Sequence, residues 1–179
     1  NMDTGYSILI VTGAVGAGKT SAAEAVFDLL SANKTPCAVI DFDWLTAAYP
    51  APAGDRFNFQ LGINNLSSII PNYISLGIKL FIIPTVVESK DEIESFRELI
   101  KGTDIFVIRL TATPATLHKR LDKREIGNLL DWHKKRAIEL IDIFESKKLE
   151  NKIIDTENKS IETIAKEILL VWPEPEKDK

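Results

Sequence analysis

Residues 11 to 21 read VTGAVGAGKTS, in which Gly13, Gly16 and Gly18 lead into a lysine and two hydroxyl residues. The stretch matches the pattern G-x-x-x-x-G-K-[ST], with an apolar run before it and a helix-period run after it. Glycines at this spacing let the backbone curl until successive N–H groups point inward at phosphate oxygens, and the helix that follows adds its positive end. Lys19 then reaches the β- and γ-phosphates, and the Thr20 hydroxyl is placed to bind Mg²⁺. Gly13, Ala14, Val15, Gly16, Ala17, Gly18, Lys19, Thr20 and Ser21 are therefore expected to cradle a nucleoside triphosphate. A mere glycine-rich turn with a solvated lysine would require motif, strand and helix to coincide without cause.

Acids suited to phosphoryl transfer follow in VIDFDWL, where Asp41 and Asp43 stand two apart at the end of an apolar run. As strand residues they would leave one face at the carboxyl edge of a sheet, where ligands of parallel α/β sheets bind. Asp43 is the candidate base for an incoming hydroxyl and Asp41, with Thr20, the candidate metal ligand. The alternative is a pair of solvated or capping residues. The later run IIPTVVES ends without the aspartate that many NTPases place there, leaving Glu88 as a distant substitute. In LHKRLDKREIGNLLDWHKKR, residues 117 to 136, Arg120 and Arg124 lie one helical turn apart, just before Gly127. They suit a closing lid that stacks on a base and neutralises developing charge, with Gly127 as hinge. A solvated basic helix paired with Asp122 and Glu125 is the competing reading. His133 and Arg136 lie further on, within reach of a substrate, and His118 and His133 lack partners at metal-site spacing, which argues against zinc.

The elements that must position these groups follow from periodicity. Apolar, β-branched runs at 7–13, 37–42, 79–85, 104–112 and 151–156 alternate with helical stretches, the rhythm of a parallel sheet covered on both faces. Helical stripes comprise Ala22, Val26, Leu29 and Leu30; Ile93, Phe96 and Ile100; Leu130, Ala137, Ile141 and Phe144; and Ile161, Ile164, Ile168 and Trp172. SKDE at 89–92 has the residues of a capping box, and Thr113-Pro114 a cap before a first-turn proline. A helix from about Gln60 to Leu76 contains Pro71, which is expected to kink or divide it. The loop at 47–60, AAYPAPAGDRFNFQ, is the least regular stretch and a functional candidate.

Composition bounds the partners. The 179 residues are 45% hydrophobic and 27% charged, with a formal net charge of −4 and a pI of about 5.3. Such a chain is expected to form one domain over 1–172 with a polar tail at 173–179, and its acidity counts against a long nucleic acid as partner. The single cysteine, Cys37, sits among apolar neighbours and reads as an inert thiol of a reducing compartment. No run approaches a membrane span and residues 1 to 7 lack a basic leader, so a cytoplasmic protein is expected.

GAVGAGKT, DFD after the second strand, and LHKRLDKR before a lid together resemble the small P-loop kinases of the adenylate kinase-like group, over about Ser7 to Trp172. Shikimate and gluconate kinases, adenylyl-sulfate kinase and chloramphenicol phosphotransferase share this plan. The resemblance implies a three-layer α/β/α P-loop NTPase fold, a five-stranded parallel sheet in the order 2-3-1-4-5 and a helical lid. It also implies ATP as donor with Mg²⁺, and transfer of the γ-phosphate to a hydroxyl of a small molecule. DFD followed by DRFN and NN is similar in order to adenylyl-sulfate kinases; by that resemblance Arg56 would bind an anionic part of the acceptor, assisted by Asn65 or Asn58. The lysine-glycine-aromatic lid loop of that family is missing. Two other readings remain: a polynucleotide 5′-hydroxyl kinase, which needs a basic groove, and a nucleotide-dependent switch without an acceptor.

Overall fold

A computed structural model of the protein describes residues 5–124 and 127–173. Residues 174–179, most of the expected polar tail, and residues 125–126, within the expected lid, lie outside the described residues. The five expected strands form: β1 (Ser7–Gly13), β2 (Cys37–Val39), β3 (Leu80–Pro84), β4 (Asp104–Thr111) and β5 (Lys152–Asp155). All pairs are parallel, in the order β2-β3-β1-β4-β5. Every β1 residue is buried, as a central parallel strand requires. Its side chains alternate between two cores: Leu9 and Val11 pack with helices α1 (Lys19–Ala32) and α7 (Ile161–Val171), while Ile8 and Ile10 face the opposite side.

That opposite side is covered by α3 (Phe59–Ile74) and α4 (Lys90–Arg97). Pro71 does not divide α3. It sits in the last turn, so only the hydrogen bond to the Ser67 carbonyl is forgone while the helix runs on to Ile74. Ser89 caps α4 by accepting from Glu92 N–H, but the Glu92 carboxylate reaches one residue further back, to Glu88 N–H at 2.6 Å, rather than closing the expected box on Ser89. Thr113 caps α5 (Pro114–Arg124) as expected, and Glu157 accepts from Thr113 N–H and Thr116 Oγ1, tying this cap to the loop after β5. In α6 (Asn128–Lys147) the buried face is Arg136, Ala137, Leu140 and Phe144; Leu130 and Ile141 are only half-buried. Ile161, expected in the α7 stripe, is half exposed at the helix start, whereas Ile164 and Ile168 are buried. Trp172 just past α7 is buried and donates to Ser7 Oγ at 2.9 Å.

The largest departure concerns β2. Pairing ends at Val39, with one further bond from Ile40 N–H to Ile82 O, and the chain turns at once into the short helix α2 (Phe42–Thr46). Asp41 and Asp43 are therefore not neighbours on one strand face. Asp41 is the N-cap of α2, accepting from Asp43 N–H at 3.1 Å, and Asp43 lies in the first turn. An Asp-x-Asp pattern fits a helix start as well as a strand end, and here the capping bond decides.

α2 is held in place by aromatic packing. Phe42, Phe59 and Phe96 meet at centroid separations of 5.0 to 5.8 Å. α2 lies so close to α3 that a Cβ on Gly62 would come within 2.5 Å of Phe42 Cζ and 2.7 Å of Thr46 Cγ2. Since Phe42 is buried within that cluster, it has nowhere to swing. Gly62→Ala is expected to destabilise the protein by about 1–3 kcal/mol despite alanine's better helix propensity. Urea unfolding measures this; an unchanged or higher midpoint would show that α2 is free to move off α3.

Candidate functional site

The loop between β1 and α1 is built where three elements crowd together. A Cβ on Gly13 would stand 2.6 Å from Leu110 O, so the chain passes β4 closer than any side chain permits. Gly16 and Gly18 hold φ of 87° and 90°, the left-handed region, and so turn the backbone into the helix. Gly18 is the N-cap of α1 and offers no side-chain acceptor, and the first turn carries no acidic residue. The other described helices differ in this respect. Asp41, Ser89, Thr113 and Ser160 cap α2, α4, α5 and α7, Asp55 accepts from Gln60 and Leu61 N–H at the start of α3, and Asp131 lies in the first turn of α6. The start of α1 thus presents amide donors and the positive end of the helix dipole with no protein anion to meet them.

Lys19 is folded over this loop. Its Nζ donates to Gly13 O at 3.0 Å and Ala14 O at 3.2 Å. Burial pushes its pKa down to about 8, with Arg124 acting the same way and Asp43 and Asp41 opposing. Lys19 is therefore within electrostatic reach of both acids and of the second lid arginine. Desolvation lifts the Asp43 carboxyl above the ordinary carboxylate range, the Lys19 charge opposes that rise and Asp41 adds to it. Thr20 Oγ1 donates to Asp41 Oδ2 at 3.4 Å, so the hydroxyl and carboxylate expected to share a metal stand face to face. Among the described residues no cluster of three histidine, cysteine or acidic side chains is placed to hold a metal by itself. The two oxygen donors fit a hard cation such as Mg²⁺, which takes much of its shell from water and phosphate.

The lid arginines occupy different settings. Arg120 donates to Gly16 O (3.4 Å), Thr156 Oγ1 (3.1 Å) and Thr156 O (3.5 Å), joining the phosphate loop to the loop after β5. Arg124 lies near Lys19, and Gly127 (φ 77°, ψ −151°) ends the lid segment at the N-cap of α6. Asp122 pairs with Lys134 at 2.6 Å, and Glu125, the other acid expected beside the lid arginines, lies outside the described residues. His133 stacks edgewise on Trp132, and His118 Nε2 is buried without a hydrogen-bond partner. Cys37 is half-buried, and desolvation pushes its thiol pKa up, the direction that makes it less reactive.

The residues expected to hold the acceptor, Arg56, Asn58 and Asn65, make contacts within the protein. Asn65 Nδ2 donates to Leu45 O and Asn58 Nδ2 to Thr46 O, both at 2.8 Å, so these amides clasp the end of α2. Arg56, in a 3₁₀ turn at Arg56–Asn58, faces two carboxylates, Glu88 and Glu139, at 3.8 Å each. Arg136, buried, pairs with the same two, at 2.7 and 3.0 Å. Phe57 lies between the guanidinium groups, 5.0 Å from Arg56 and 4.8 Å from Arg136. Sequence reasoning gave Glu88 only a remote role and gave Glu139 and Phe57 none. The i,i+3 spacing of Arg136 and Glu139 on a helix is a local signal for that pair, whereas the pairings of Arg56 with Glu88 and Glu139 and of Arg136 with Glu88 join residues up to 83 positions apart, which no local spacing signals. Glu88 is brought to the phosphate loop by a backbone clasp: Thr85 N–H donates to Val11 O and Val87 N–H to Thr12 Oγ1, on the last residues of β1 before Gly13.

No family model matches the chain, and no curated protein matches it. Solved structures do. A shikimate kinase from Acinetobacter baumannii in complex with shikimate is 18% identical, with a TM-score of 0.63 over 93% of this chain and 92% of that one. A gluconokinase from Sinorhizobium meliloti 1021 is 16% identical, with a TM-score of 0.63 over 93% and 90%. The APS kinase CysC of Mycobacterium tuberculosis in complex with AMPPNP and APS is 18% identical, with a TM-score of 0.60 over 92% and 95%. With the sheet order and the glycine-lysine loop, these matches establish that the chain has the fold of the small P-loop kinases.

Proposed function

We propose that this protein is an ATP- and Mg²⁺-dependent phosphotransferase that moves the γ-phosphate to a hydroxyl of a small molecule. The observation that carries the reading is the uncapped start of α1, with Lys19 folded over it and Asp43 close enough to feel its charge. A triphosphate seated there would meet backbone N–H groups of the loop and of the first turn of α1, Ala17 N–H excepted because Ala14 O holds it, and the Lys19 ammonium, which leaves the Gly13 and Ala14 carbonyls to reach it. Thr20 and Asp41 would hold Mg²⁺, which supplies positive charge against the β- and γ-phosphates.

Asp43 orients the acceptor hydroxyl and takes its proton as the oxygen closes on the γ-phosphorus. The new O–P bond forms, the bond to the β-phosphate oxygen breaks, and ADP leaves. The raised pKa of Asp43 makes it a better proton acceptor than a solvated carboxylate. Arg124 balances charge on the transferred group, and Arg120 borders the nucleotide's base from its place beside Thr156. Among the described residues no helix is long and apolar enough to cross a membrane, and the acceptor is taken to be a freely diffusing molecule.

ADP release with Mg²⁺ and ATP, run against a panel of hydroxyl compounds and 5′-hydroxyl oligonucleotides, tests the reading. Stimulation by one small-molecule class is expected, with Lys19→Ala abolishing it and Asp43→Asn lowering it about 10²–10⁴-fold. Activity retained in Asp43→Asn would refute its role as base. Stimulation by oligonucleotides alone would favour an end kinase, and turnover indifferent to every acceptor would favour a switch.

The pH dependence of nucleotide affinity is a second expectation. In the free protein Lys19 loses its proton near pH 8, and a bound phosphate restores it. Binding therefore takes up a proton above that pH, and affinity falls by up to about tenfold per pH unit there while staying level just below it. Calorimetry in two buffers of different ionisation enthalpy at alkaline pH reads the uptake directly. An affinity constant across pH 7 to about 10 would show that Lys19 does not pair with phosphate.

A further inference from the structure

The cluster formed by Arg56, Phe57, Glu88, Arg136 and Glu139 lies next to the phosphate loop, yet no step above uses it. Its place follows from the topology. The sheet order puts β3 between β2, which leads to Asp41 and Asp43, and β1, which leads to the phosphate loop. Glu88 follows β3 directly and is clasped to Val11 and Thr12. Arg56 and Phe57 arrive from the segment after α2, and Arg136 and Glu139 from α6. All of them gather at the carboxyl edge of the sheet, on the side of Asp43, where an acceptor must sit to present its hydroxyl.

The charges there are balanced by the protein itself. Each guanidinium faces the same two carboxylates. Lys147 Nζ donates to Glu88 O, and Glu92, which accepts from Glu88 N–H, supplies a further carboxylate within reach of Arg56. An incoming carboxylate or phosphate would have to displace a glutamate from an arginine and would stand near Asp43 and Asp41 as well. Two buried atoms of the cluster have no hydrogen-bond partner in the protein: Glu88 Oε1, with the Arg56 guanidinium 3.8 Å away, and Arg136 Nη1, which has the Glu139 carboxylate as an ion-pair partner at 3.0 Å. A carboxylate oxygen accepts and a guanidinium donates, so together they suit a hydroxyl, which does both, and Glu88 Oε1 suits an ammonium group as well.

The walls add a shape preference. Phe57 is half exposed, although two guanidinium groups border its ring. Its backbone is held at φ 55° and that of Asn58 at φ 55°, a region non-glycine residues seldom occupy, which aims the ring at Arg136 instead of at the aromatic cluster of α2. On α6, Leu129, Trp132, Arg136 and Glu139 follow at helical spacing, and the first two are exposed. A ring with apolar C–H faces and donor groups at its edge matches these surfaces.

We infer that the acceptor is an uncharged or cationic ring polyol, an amino sugar or a related amino alcohol, selected by Glu88 and Glu139 against carboxylates and phosphate esters. This rests on the kinase reading and names the acceptor class of that same site. It also revises the part given to Arg56, which holds Glu88 and Glu139 rather than an anionic group of the acceptor.

The test titrates D-glucuronate, D-glucose and D-glucosamine, which share a ring and differ in charge, into the protein loaded with Mg²⁺ and AMPPNP, so that the phosphate loop is already filled. Glucosamine is expected to bind at least about tenfold more tightly than glucuronate, and Glu88→Gln, which keeps the side chain's shape, to narrow that ratio to within about threefold. Glu139→Gln, at a half-exposed position, repeats the comparison should the buried substitution fail to fold. Glucuronate binding as tightly as glucosamine overturns the inference. So does a ratio unmoved by both variants, or no heat from any of the three sugars. Failure of AMPPNP to bind in the loading step would sink the kinase reading and the inference with it, whereas failure confined to the sugar step leaves the kinase reading standing.

Discussion

The first turn of α1 has backbone donors that no side chain satisfies, and much of the carboxyl edge is arranged around that fact. A buried or partly buried N–H without a partner costs free energy, which is why the other described helices carry a cap or an acid at their start. Leaving α1 bare is tolerable because its N-terminus opens toward solvent, with Gly18 and Thr20 exposed, and because an anion can replace the missing cap. Lys19 feels Asp43 and Asp41, yet burial outweighs their attraction. It settles on two carbonyl oxygens and remains a poorly stabilised cation. In the proposed reading, phosphate would answer both needs in one place.

Around this centre several long-range bonds hold strands and loops in register. Thr12 Oγ1 accepts from Val87 N–H, Asn151 Oδ1 accepts from Val107 N–H, and Glu157 binds the Thr113 cap. The first and last join segments at the carboxyl edge of the sheet, and the second fastens the residue just before β5 to the middle of β4. Arg109 shows the same logic beneath the surface. It is buried on β4 and is held by Glu145 at 2.8 Å and Glu150 at 3.2 Å, with the Phe144 ring 5.7 Å away. The pair ties α6 and the entry to β5 against the sheet. α6 can then carry Arg136 to Glu88 and Glu139 to Arg56 at a fixed height. Breaking such a buried pair from one side leaves an uncompensated charge, so its value lies in positioning more than in net stability.

The fold was legible because its signals are local. β1 and the phosphate loop depend on an apolar run and on glycine spacing, and the sheet order came with the resemblance those residues carry. The end of β2 was misread because Asp41-Phe42-Asp43 satisfies strand alternation and helix capping equally, and only the docking of Phe42 against Phe59 and Phe96 selects the helix. Pro71 was overweighted because its cost depends on its distance from the helix end, which a periodicity does not give. The pairing of Arg56 was invisible for a deeper reason. Arg56 has aspartate as its immediate neighbour, yet its partners are Glu88 and Glu139, and nothing in DRFN announces that. Whether an arginine binds a ligand or a neighbouring chain segment is decided by tertiary placement of carboxylates, so a motif transferred residue by residue carries the positive charge across without the glutamates that cancel it.

A loop whose N–H groups point inward must turn its carbonyls outward, and those carbonyls need donors of their own. Arg120 supplies one at Gly16 O while holding Thr156, so its guanidinium braces the loop whether or not a ligand is present. Lys19 supplies others at Gly13 O and Ala14 O, and in the kinase reading proposed above it would leave them for phosphate. Ala14 O then keeps Ala17 N–H as its donor, so the loop's turn survives the exchange. The two cations therefore divide the work. Arg120 sets the loop's shape, and Lys19 is held in reserve on bonds weak enough to surrender. Binding then becomes a trade of neutral carbonyl partners for charged oxygens, which favours a triphosphate in proportion to the charge it brings.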